Sequence, residues 1–203
     1  IFSHINENYT RYLNRKKKLR VIFRGINIDY YNKKNISILK QEKLKNEWEL
    51  FPDRFTIILP GRLTAWKGQE IFIEALNILI EDYNNLQFQA IILGSDQGRK
   101  VYKKKLINLT QRYRLNKKIK FIEHCKEMPL AYSIADAVVS SSIEPEAFGR
   151  VSVEAQAMEK PIIASNLGGS KETILNNKSG FLYKHNDPRE LAKTLNTVIE
   201  LDQ

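Results

Sequence analysis

The sequence has one cysteine and no long apolar run. Because Cys125 is the single cysteine among 203 residues, no disulfide can form within the chain, which fits a reducing compartment. No stretch approaches the roughly 20 apolar residues that a membrane-spanning helix needs, and the N-terminus has no apolar signal-peptide region. These absences predict a cytoplasmic protein, either free in solution or peripheral to the inner face of the membrane.

Several motifs that mark metal and cofactor sites are also missing. The sequence has no Cys or His cluster with zinc spacing and no Asp-x-Asp pair for a metal-held diphosphate. It has neither a G-x-G-x-x-G fingerprint nor a Walker lysine pattern, so Gly94 and Gly98 are interpreted as turn glycines. No cofactor and no metal site are therefore expected.

Positive charge prevails, with 33 Lys and Arg against 23 Asp and Glu and a net charge of +10. Such a surface attracts phosphates, so nucleic acid or an anionic membrane is a candidate partner, and the densest run, residues 15–20, could contact an anionic leaflet. The lysines are nevertheless spread along the chain, and Lys, Asn and Ile are all abundant. AT-rich genomes impose this compositional bias regardless of function. Basic residues clustered with stacking aromatics are not visible. No nucleic-acid partner is therefore expected.

From about Phe55 onward, short apolar runs alternate with longer amphipathic runs. Asp187, Pro188 and Glu190 form a start signal for the last helix. Strands alternating with helices predict an α/β fold, a doubly wound parallel sheet of Rossmann-like type. The predicted strands are 55–60, 86–94, 119–122, 136–142 and 161–165, and the predicted helices are 67–82, 100–114, 128–135, one from about 149 and one from about 187.

The first fifty residues do not join this alternation. Residues 1–19 are expected to be the tail of a preceding domain and a basic connector, followed by one Rossmann-like domain over 20–203. A strand leading into a glycine turn is predicted within 20–31, and 34–55 is interpreted as a polar connector. A chain that begins with Ile1 is expected to be a piece of a longer protein.

Three segments follow predicted strands at the sheet edge where ligands bind in open parallel sheets. The turn after the first strand carries Arg62 and Lys67, residues 123–128 follow the third strand, and residues 140–155 follow the fourth. An arginine grips phosphate oxygens as a fork and a lysine acts as a point charge. The sheet order can bring these segments to one rim.

The third segment places Glu146 and Glu154 eight positions apart, on either side of Gly149. With a helix beginning near Gly149, the unpaired amides of Arg150 and Val151 favour an anion. Glu154 then lies one turn further on the same face as Arg150. Taken alone, the two carboxylates are more simply a helix-start acid and an exposed helix residue. Together with the two cations of the first turn, they suit a nucleotide sugar, with the ribose near one glutamate and the hexose near the other.

The segments "GRLTAWKGQ", "EAFGRVSVE", "IIASNLGGSKETI" and "SGFLY" together resemble the C-terminal, donor-binding domain of retaining nucleotide-sugar glycosyltransferases of the GT-B architecture. "RVIFRGINIDYY" is similar to the segment by which that family enters its second domain, and "EMPLAYSIADAVVSSSIEPEAFGR" resembles bacterial enzymes that build lipopolysaccharide cores. The resemblance covers roughly residues 1–200. It implies sugar transfer from a nucleoside-diphosphate sugar to a glycan or lipid-linked acceptor in cell-envelope polysaccharide synthesis. It also implies a missing N-terminal Rossmann-like domain, without which this half would be inactive.

Residue roles follow from the same resemblance. It implies that Arg62 and Lys67 grip the diphosphate in place of a metal, that Glu154 binds the ribose, and that Glu146 orients the hexose for front-face attack. The base edge would meet the backbone near His124 and Cys125, where the neighbouring Glu123 replaces a glycine that is frequent in the family, so base selectivity stays open. The implied catalytic residues are Arg62, Lys67 and Glu146, and the implied donor-binding residues are Gly61, Arg62, Lys67, His124, Cys125, Glu146, Phe148, Gly149, Arg150, Val151 and Glu154.

Other functional classes stay open at this point. A sugar-nucleotide epimerase of similar two-domain shape would convert the donor without any acceptor. A basic nucleic-acid-binding module would account for the charge, and a noncatalytic nucleotide sensor is a third alternative.

Overall fold

The structure, a computed structural model, describes residues 24–202. Its strands are β1 (Phe55–Pro60), β2 (Phe88–Leu93), β3 (Ile119–Ile122), β4 (Ala137–Ser140), β5 (Ile162–Ser165) and β6 (Phe181–Tyr183). They form a six-stranded, wholly parallel sheet in the order β3-β2-β1-β4-β5-β6. Helices flank this sheet, which confirms the α/β, Rossmann-like fold class.

Two hydrophobic clusters, one on each face, join the helices to the sheet. The helices are α1 (Ile38–Glu47), α2 (Gln69–Glu81), α3 (Lys100–Arg112), α4 (Met128–Ser133), α5 (Arg150–Ala157), α6 (Ser170–Thr173) and α7 (Pro188–Asp202). The first cluster contains buried residues of α2, α3 and α7, and the second contains buried residues of α1, α4 and α5. The central strands β1 and β2 are covered on both faces, which explains their continuous apolar sequences.

The start signal predicted for the last helix is confirmed. The Asp187 carboxylate oxygen Oδ1 accepts hydrogen bonds from the amides of Arg189 (3.2 Å) and Glu190 (3.1 Å). These amides have no acceptor within the helix, so the aspartate satisfies donors that helix geometry leaves free. Helix α7 begins at Pro188 as a result.

The polar connector predicted over 34–55 is wrong in its middle, because α1 occupies Ile38–Glu47. Leu44 and Trp48 are buried from this segment, whereas Ile38 and Leu39 are 74% and 81% exposed. The apolar residues of α1 therefore do not mark a single buried face, and the helical period is hidden in the sequence.

Two other elements differ from the predictions. Strand β6 spans only Phe181–Tyr183, which is too short for a recognisable alternation, and α6 is a single turn at Ser170–Thr173, directly after Gly168 and Gly169. The predicted tail at 1–19 and the boundary near residue 20 lie outside the described residues. Of the strand predicted within 20–31, the described part, 24–31, contains a turn and no strand.

The strand order places β1 beside β4 in the middle of the sheet. The chain proceeds from β1 to β2 and β3 on one side, and then crosses to β4, β5 and β6 on the other. This reversal creates a crevice at the carboxyl ends of β1 and β4, where ligands of doubly wound sheets bind.

Candidate functional site

A cleft of about 680 Å³ opens at this crevice. Its volume lies within the range of small-molecule sites. Its lining includes every residue that the resemblance assigned to donor binding: Gly61, Arg62, Lys67, His124, Cys125, Glu146, Phe148, Gly149, Arg150, Val151 and Glu154. The structure thus brings the predicted residues together, and their individual binding roles stay predictions.

The buried side chain of Gln69 fixes the loop between β1 and α2. Gln69 is fully buried, and its Nε2 donates to the carbonyl oxygen of Arg62 at 2.8 Å. The Tyr102 hydroxyl donates in turn to Gln69 Oε1 at 3.2 Å. The Arg62 side chain itself is exposed at the cleft. Its backbone is therefore fixed while its guanidinium can turn toward a ligand.

Lys67 and Glu146 form an ion pair in the cleft. The ammonium Nζ lies 2.7 Å from Glu146 Oε1, and the two side chains are only 13% and 11% exposed. The Ser142 hydroxyl donates to the same carboxylate oxygen, and the ammonium also lies 4.5 Å from the centroid of the Trp66 ring. Two residues predicted to touch different parts of one ligand are thus in direct contact with each other.

The loops that follow β1 and β4 are joined by hydrogen bonds. The Ser141 hydroxyl contacts the carbonyl oxygens of Lys67 at 3.0 Å and Gly68 at 2.9 Å. The Ile143 amide donates to the carbonyl of Trp66 at 2.8 Å. A Cβ atom on Gly68 would lie 1.9 Å from the Ser141 carbonyl oxygen, so only glycine permits this approach. The backbone that carries Arg62 and Lys67 is therefore fixed relative to the loop that carries Glu146.

Helix α5 begins at the cleft, as predicted. Gly149 precedes it with a φ of 73°, a left-handed conformation that favours glycine. The Ser152 amide donates back to the carbonyl of Gly149 at 3.0 Å, so the amides of Arg150 and Val151 belong to the first turn and have no acceptor within the helix. Both residues line the cleft. This helix end can therefore accommodate an anion.

Glu154 is a buried carboxylate with a partner on each oxygen. Its Oε1 accepts from Arg150 Nε (3.1 Å) and Nη2 (2.8 Å), and its Oε2 accepts from the Tyr132 hydroxyl (2.8 Å). At 5% exposure it is not the exposed helix residue of the simpler interpretation, which is wrong. A carboxylate is buried at tolerable cost only when it is hydrogen-bonded in this way.

The electrostatics of neighbouring groups reflect this carboxylate. Burial, together with Glu154, raises the pKa of Tyr31 to about 12. The same two causes raise the pKa of Tyr132 well above its usual value. The hydrogen bond to Glu154 raises the pKa of Arg150. Both tyrosines consequently keep their protons at neutral pH, and the Tyr132 hydroxyl remains a donor.

Comparison with known proteins identifies the family of this chain. The family model described as "Glycosyl transferases group 1" matches residues 40–203. The chain belongs to this family. The family predicted from the sequence motifs is thereby confirmed.

Among the relatives, a D-inositol 3-phosphate glycosyltransferase of Corynebacterium urealyticum is 30% identical over 145 residues, which are 70% of this chain and 34% of that protein. The crystal structure of a glycosyltransferase from Rickettsia africae ESF-5 is 32% identical with a TM-score of 0.87, and the match covers 96% of this chain and 52% of that one. Anabaena Alr3699/HepE in complex with UDP-glucose is 31% identical with a TM-score of 0.86, over 98% of this chain and 52% of that one. This member of the group 1 family therefore spans about half the length of these structures.

Sequence reasoning missed three side chains that hold the site together. Ser142 contacts Glu146, Tyr132 contacts Glu154, and Tyr31 lies beside Glu154. A tyrosine in a short apolar helix such as α4 indicates a buried polar partner, because a buried phenol usually needs a hydrogen bond. This signal could have identified Tyr132 from the sequence. The serines after β4 carry no comparable signal, since their partners lie on other loops.

The side of the cleft predicted to meet the base contains His124 and Cys125. The Glu123 carboxylate pairs with the Lys103 ammonium of α3. The Cys125 thiol lies 3.4 Å from the carbonyl oxygen of Glu127, and burial raises its pKa. A raised thiol pKa disfavours the thiolate, so the electrostatics of Cys125 do not favour a role as a nucleophile.

Two further observations concern metals and membranes. Residues 24–202 contain no group of three or more His, Cys, Asp or Glu side chains placed to hold a metal ion. That the chain works without a metal stays a prediction. Within the same residues, no helix is both long and apolar enough to cross a membrane.

Proposed function

We propose that this chain is the donor-binding part of a retaining glycosyltransferase that uses a nucleoside-diphosphate sugar. The observation that carries the proposal is the convergence of Arg62, Lys67 and the first-turn amides of α5 on one cleft, flanked by Glu146 and Glu154. Cationic and amide donors suit a diphosphate, and carboxylates suit hydroxyl groups. The similarity to HepE, whose structure contains UDP-glucose, supports this choice of ligand.

In the proposed reaction, an acceptor hydroxyl of a glycan or lipid-linked molecule attacks the anomeric carbon from the side of the departing phosphate. The bond between that carbon and the phosphate oxygen breaks, and the leaving diphosphate takes up the hydroxyl proton. Negative charge develops on the leaving oxygen, where Arg62, Lys67 and the amides of α5 stabilise it without reorganising. Glu146 orients the sugar.

The Lys67–Glu146 contact gives this mechanism a link between phosphate and sugar. An ammonium has three donors, so Lys67 can keep its bond to Glu146 while donating to a phosphate oxygen. The Ser142 hydroxyl holds the carboxylate from another direction. Glu146 would thus be oriented before the donor arrives, and Lys67 would connect it to the leaving group.

A thermal-shift panel tests the donor half of the proposal. UDP, GDP, ADP and CDP and their sugars are added to the chain with and without magnesium. The nucleotides that carry one particular base are expected to raise the melting temperature, with or without magnesium. A ligand at about 100 times its Kd stabilises the folded state by about 2.7 kcal/mol, which is enough to detect. The Arg62→Ala and Lys67→Met variants should lose this shift. Lys45→Met is the control, because Lys45 pairs with Glu42 within α1 and does not line the cleft.

Absence of any nucleotide-dependent shift, or a shift retained in both cleft variants, would contradict the proposal. The reaction itself is tested on the intact enzyme by NMR of the anomeric configuration of the product, which should match that of the donor. Glu146→Gln should lower turnover by clearly more than about twofold. Conversion of the donor without acceptor would indicate an epimerase instead. The role in cell-envelope polysaccharide synthesis belongs to the same proposal and is tested by acceptor identity.

A further inference from the structure

We infer that Tyr132 is a positioning residue whose hydroxyl holds Glu154 in the orientation that recognises the ribose hydroxyls of a nucleoside diphosphate. This inference rests on the proposed function and deepens it, because it identifies what sets ribose recognition in the same cleft. Tyr132 acts through Glu154, and the group that would touch the ligand is the carboxylate.

The contact joins two elements across the cleft floor. Tyr132 lies in α4 with its side chain fully buried, and Glu154 lies in α5 at 5% exposure. The hydroxyl donates to Oε2 at 2.8 Å. Hydrogen bonds to an ionised acceptor are among the stronger ones in proteins, and this bond is shielded from water. It therefore restricts the carboxylate more than an exposed contact would.

Arg150 and Tyr132, which donate to Oε1 and Oε2 of Glu154, differ in freedom, and Tyr31 also lies beside this carboxylate. Arg150 is 66% exposed and bonds Oε1 from one turn earlier in the same helix, so its guanidinium is solvated and can change direction. Tyr132 is held on a different helix and has no exposed surface. When the Arg150 guanidinium turns toward the phosphates, Oε1 becomes available to a ribose hydroxyl. The bond from Tyr132 then remains and keeps the carboxylate in place.

Packing holds the tyrosine itself in position. The Tyr31 ring lies 6.1 Å from the Tyr132 ring, centroid to centroid, at an interplanar angle of 59°. Tyr31 is also buried and lines the cleft beside Glu154. Tyr132 has little room to rotate away, so its hydroxyl meets the carboxylate in one geometry.

The test measures discrimination between ribose and dideoxyribose. Calorimetry compares UDP, GDP, ADP and CDP with their 2′,3′-dideoxy analogues. For the base that binds, the wild-type chain should prefer the ribonucleotide by about tenfold or more, since a site built to bond hydroxyls rejects analogues that lack them. In Tyr132→Phe this ratio should fall below about threefold, through weaker binding of the ribonucleotide and unchanged binding of the dideoxy analogue. A general loss of packing would weaken both alike.

Two further variants make the result decisive. Tyr183→Phe is the matched control, because the Tyr183 hydroxyl is buried and has no hydrogen-bond partner in the described part of the chain; its ratio should equal that of the wild type. Tyr132→p-aminophenylalanine keeps the ring and a donor and should retain the ratio. If Tyr132→Phe does not fold, loss of discrimination in this shape-preserving variant overturns the inference.

The outcomes separate the inference from the proposed function. A wild-type ratio in Tyr132→Phe overturns the role of Tyr132 and leaves the proposed function intact. A wild-type chain that binds none of the nucleotides contradicts the proposed function and, with it, this inference. If the wild-type chain binds a nucleotide without preference for ribose, Glu154 does not recognise the ribose hydroxyls. The inference about Tyr132 is then overturned as well.

Discussion

Replacing Lys67 by methionine should leave the Glu146 carboxylate largely buried without its cation. At a separation of 2.7 Å, an effective dielectric constant of 20 gives an attraction of roughly 6 kcal/mol before desolvation is subtracted. Removing one partner of a buried pair typically costs about 3–5 kcal/mol. Because both side chains keep slight exposure and Ser142 still donates to Glu146, we expect about 3 kcal/mol for Lys67→Met. Glu146→Gln should cost about 2 kcal/mol, since its amide oxygen can still accept from Lys67.

The decisive quantity is the coupling between the two changes. The double variant removes both charges, so its cost should fall below the sum of the single costs by about 2 kcal/mol. Urea unfolding of the four proteins measures this, with unchanged m-values showing that the same surface unfolds. The control cycle uses Lys33→Met and Glu159→Gln, whose pair is 60% and 64% exposed and should couple by less than about 1 kcal/mol. Additive effects at Lys67 and Glu146, within about 0.5 kcal/mol, would refute the buried pair.

Three further changes test other parts of the structure. Gly169→Ala should lower the unfolding free energy by about 1–3 kcal/mol, because its Cβ would lie 2.6 Å from the carbonyl carbon of Phe148. Gly25→Ala, whose Cβ would meet no atom of residues 24–202 within 4 Å, should be nearly neutral in the same urea titration. Asp187→Ala should cost about 1 kcal/mol through loss of the α7 cap, and an unchanged melting temperature would contradict this. Burial raises the pKa of Tyr183, so the folded protein keeps a proton that the unfolded chain releases above about pH 10, and stability should fall there by up to about 1.4 kcal/mol per pH unit. Tyr183→Phe should make that decline shallower in urea titrations between about pH 9 and 11, and an identical decline would count against the shift.

How much of the fold was predictable depended on how strongly each element marks itself in the sequence. Strands β1 and β3 have the predicted bounds, because each is a short apolar run ended by a turn or a charged residue. The start of α5 was predicted from Gly149, whose conformation few other residues tolerate. Helix α1 was not, because the exposed Ile38 and Leu39 interrupt its periodicity.

The cleft was predictable as a place, and its internal contacts were not. A general rule for doubly wound sheets places ligands where the strand order reverses, and this rule needs only the order of strands and helices. The contacts of Lys67 with Glu146 and of Tyr132 with Glu154 span 79 and 22 positions in the chain. They depend on side-chain directions in different elements, which no local pattern encodes.

The joined loops after β1 and β4 have a consequence for motion. Because Ser141 is bonded to the backbone of Lys67 and Gly68, and no side chain fits at Gly68, the two walls of the cleft cannot separate without breaking these bonds. We therefore expect these two loops to move as one rigid unit, so that the distance between Lys67 and Glu146 changes little during any motion that leaves these hydrogen bonds intact.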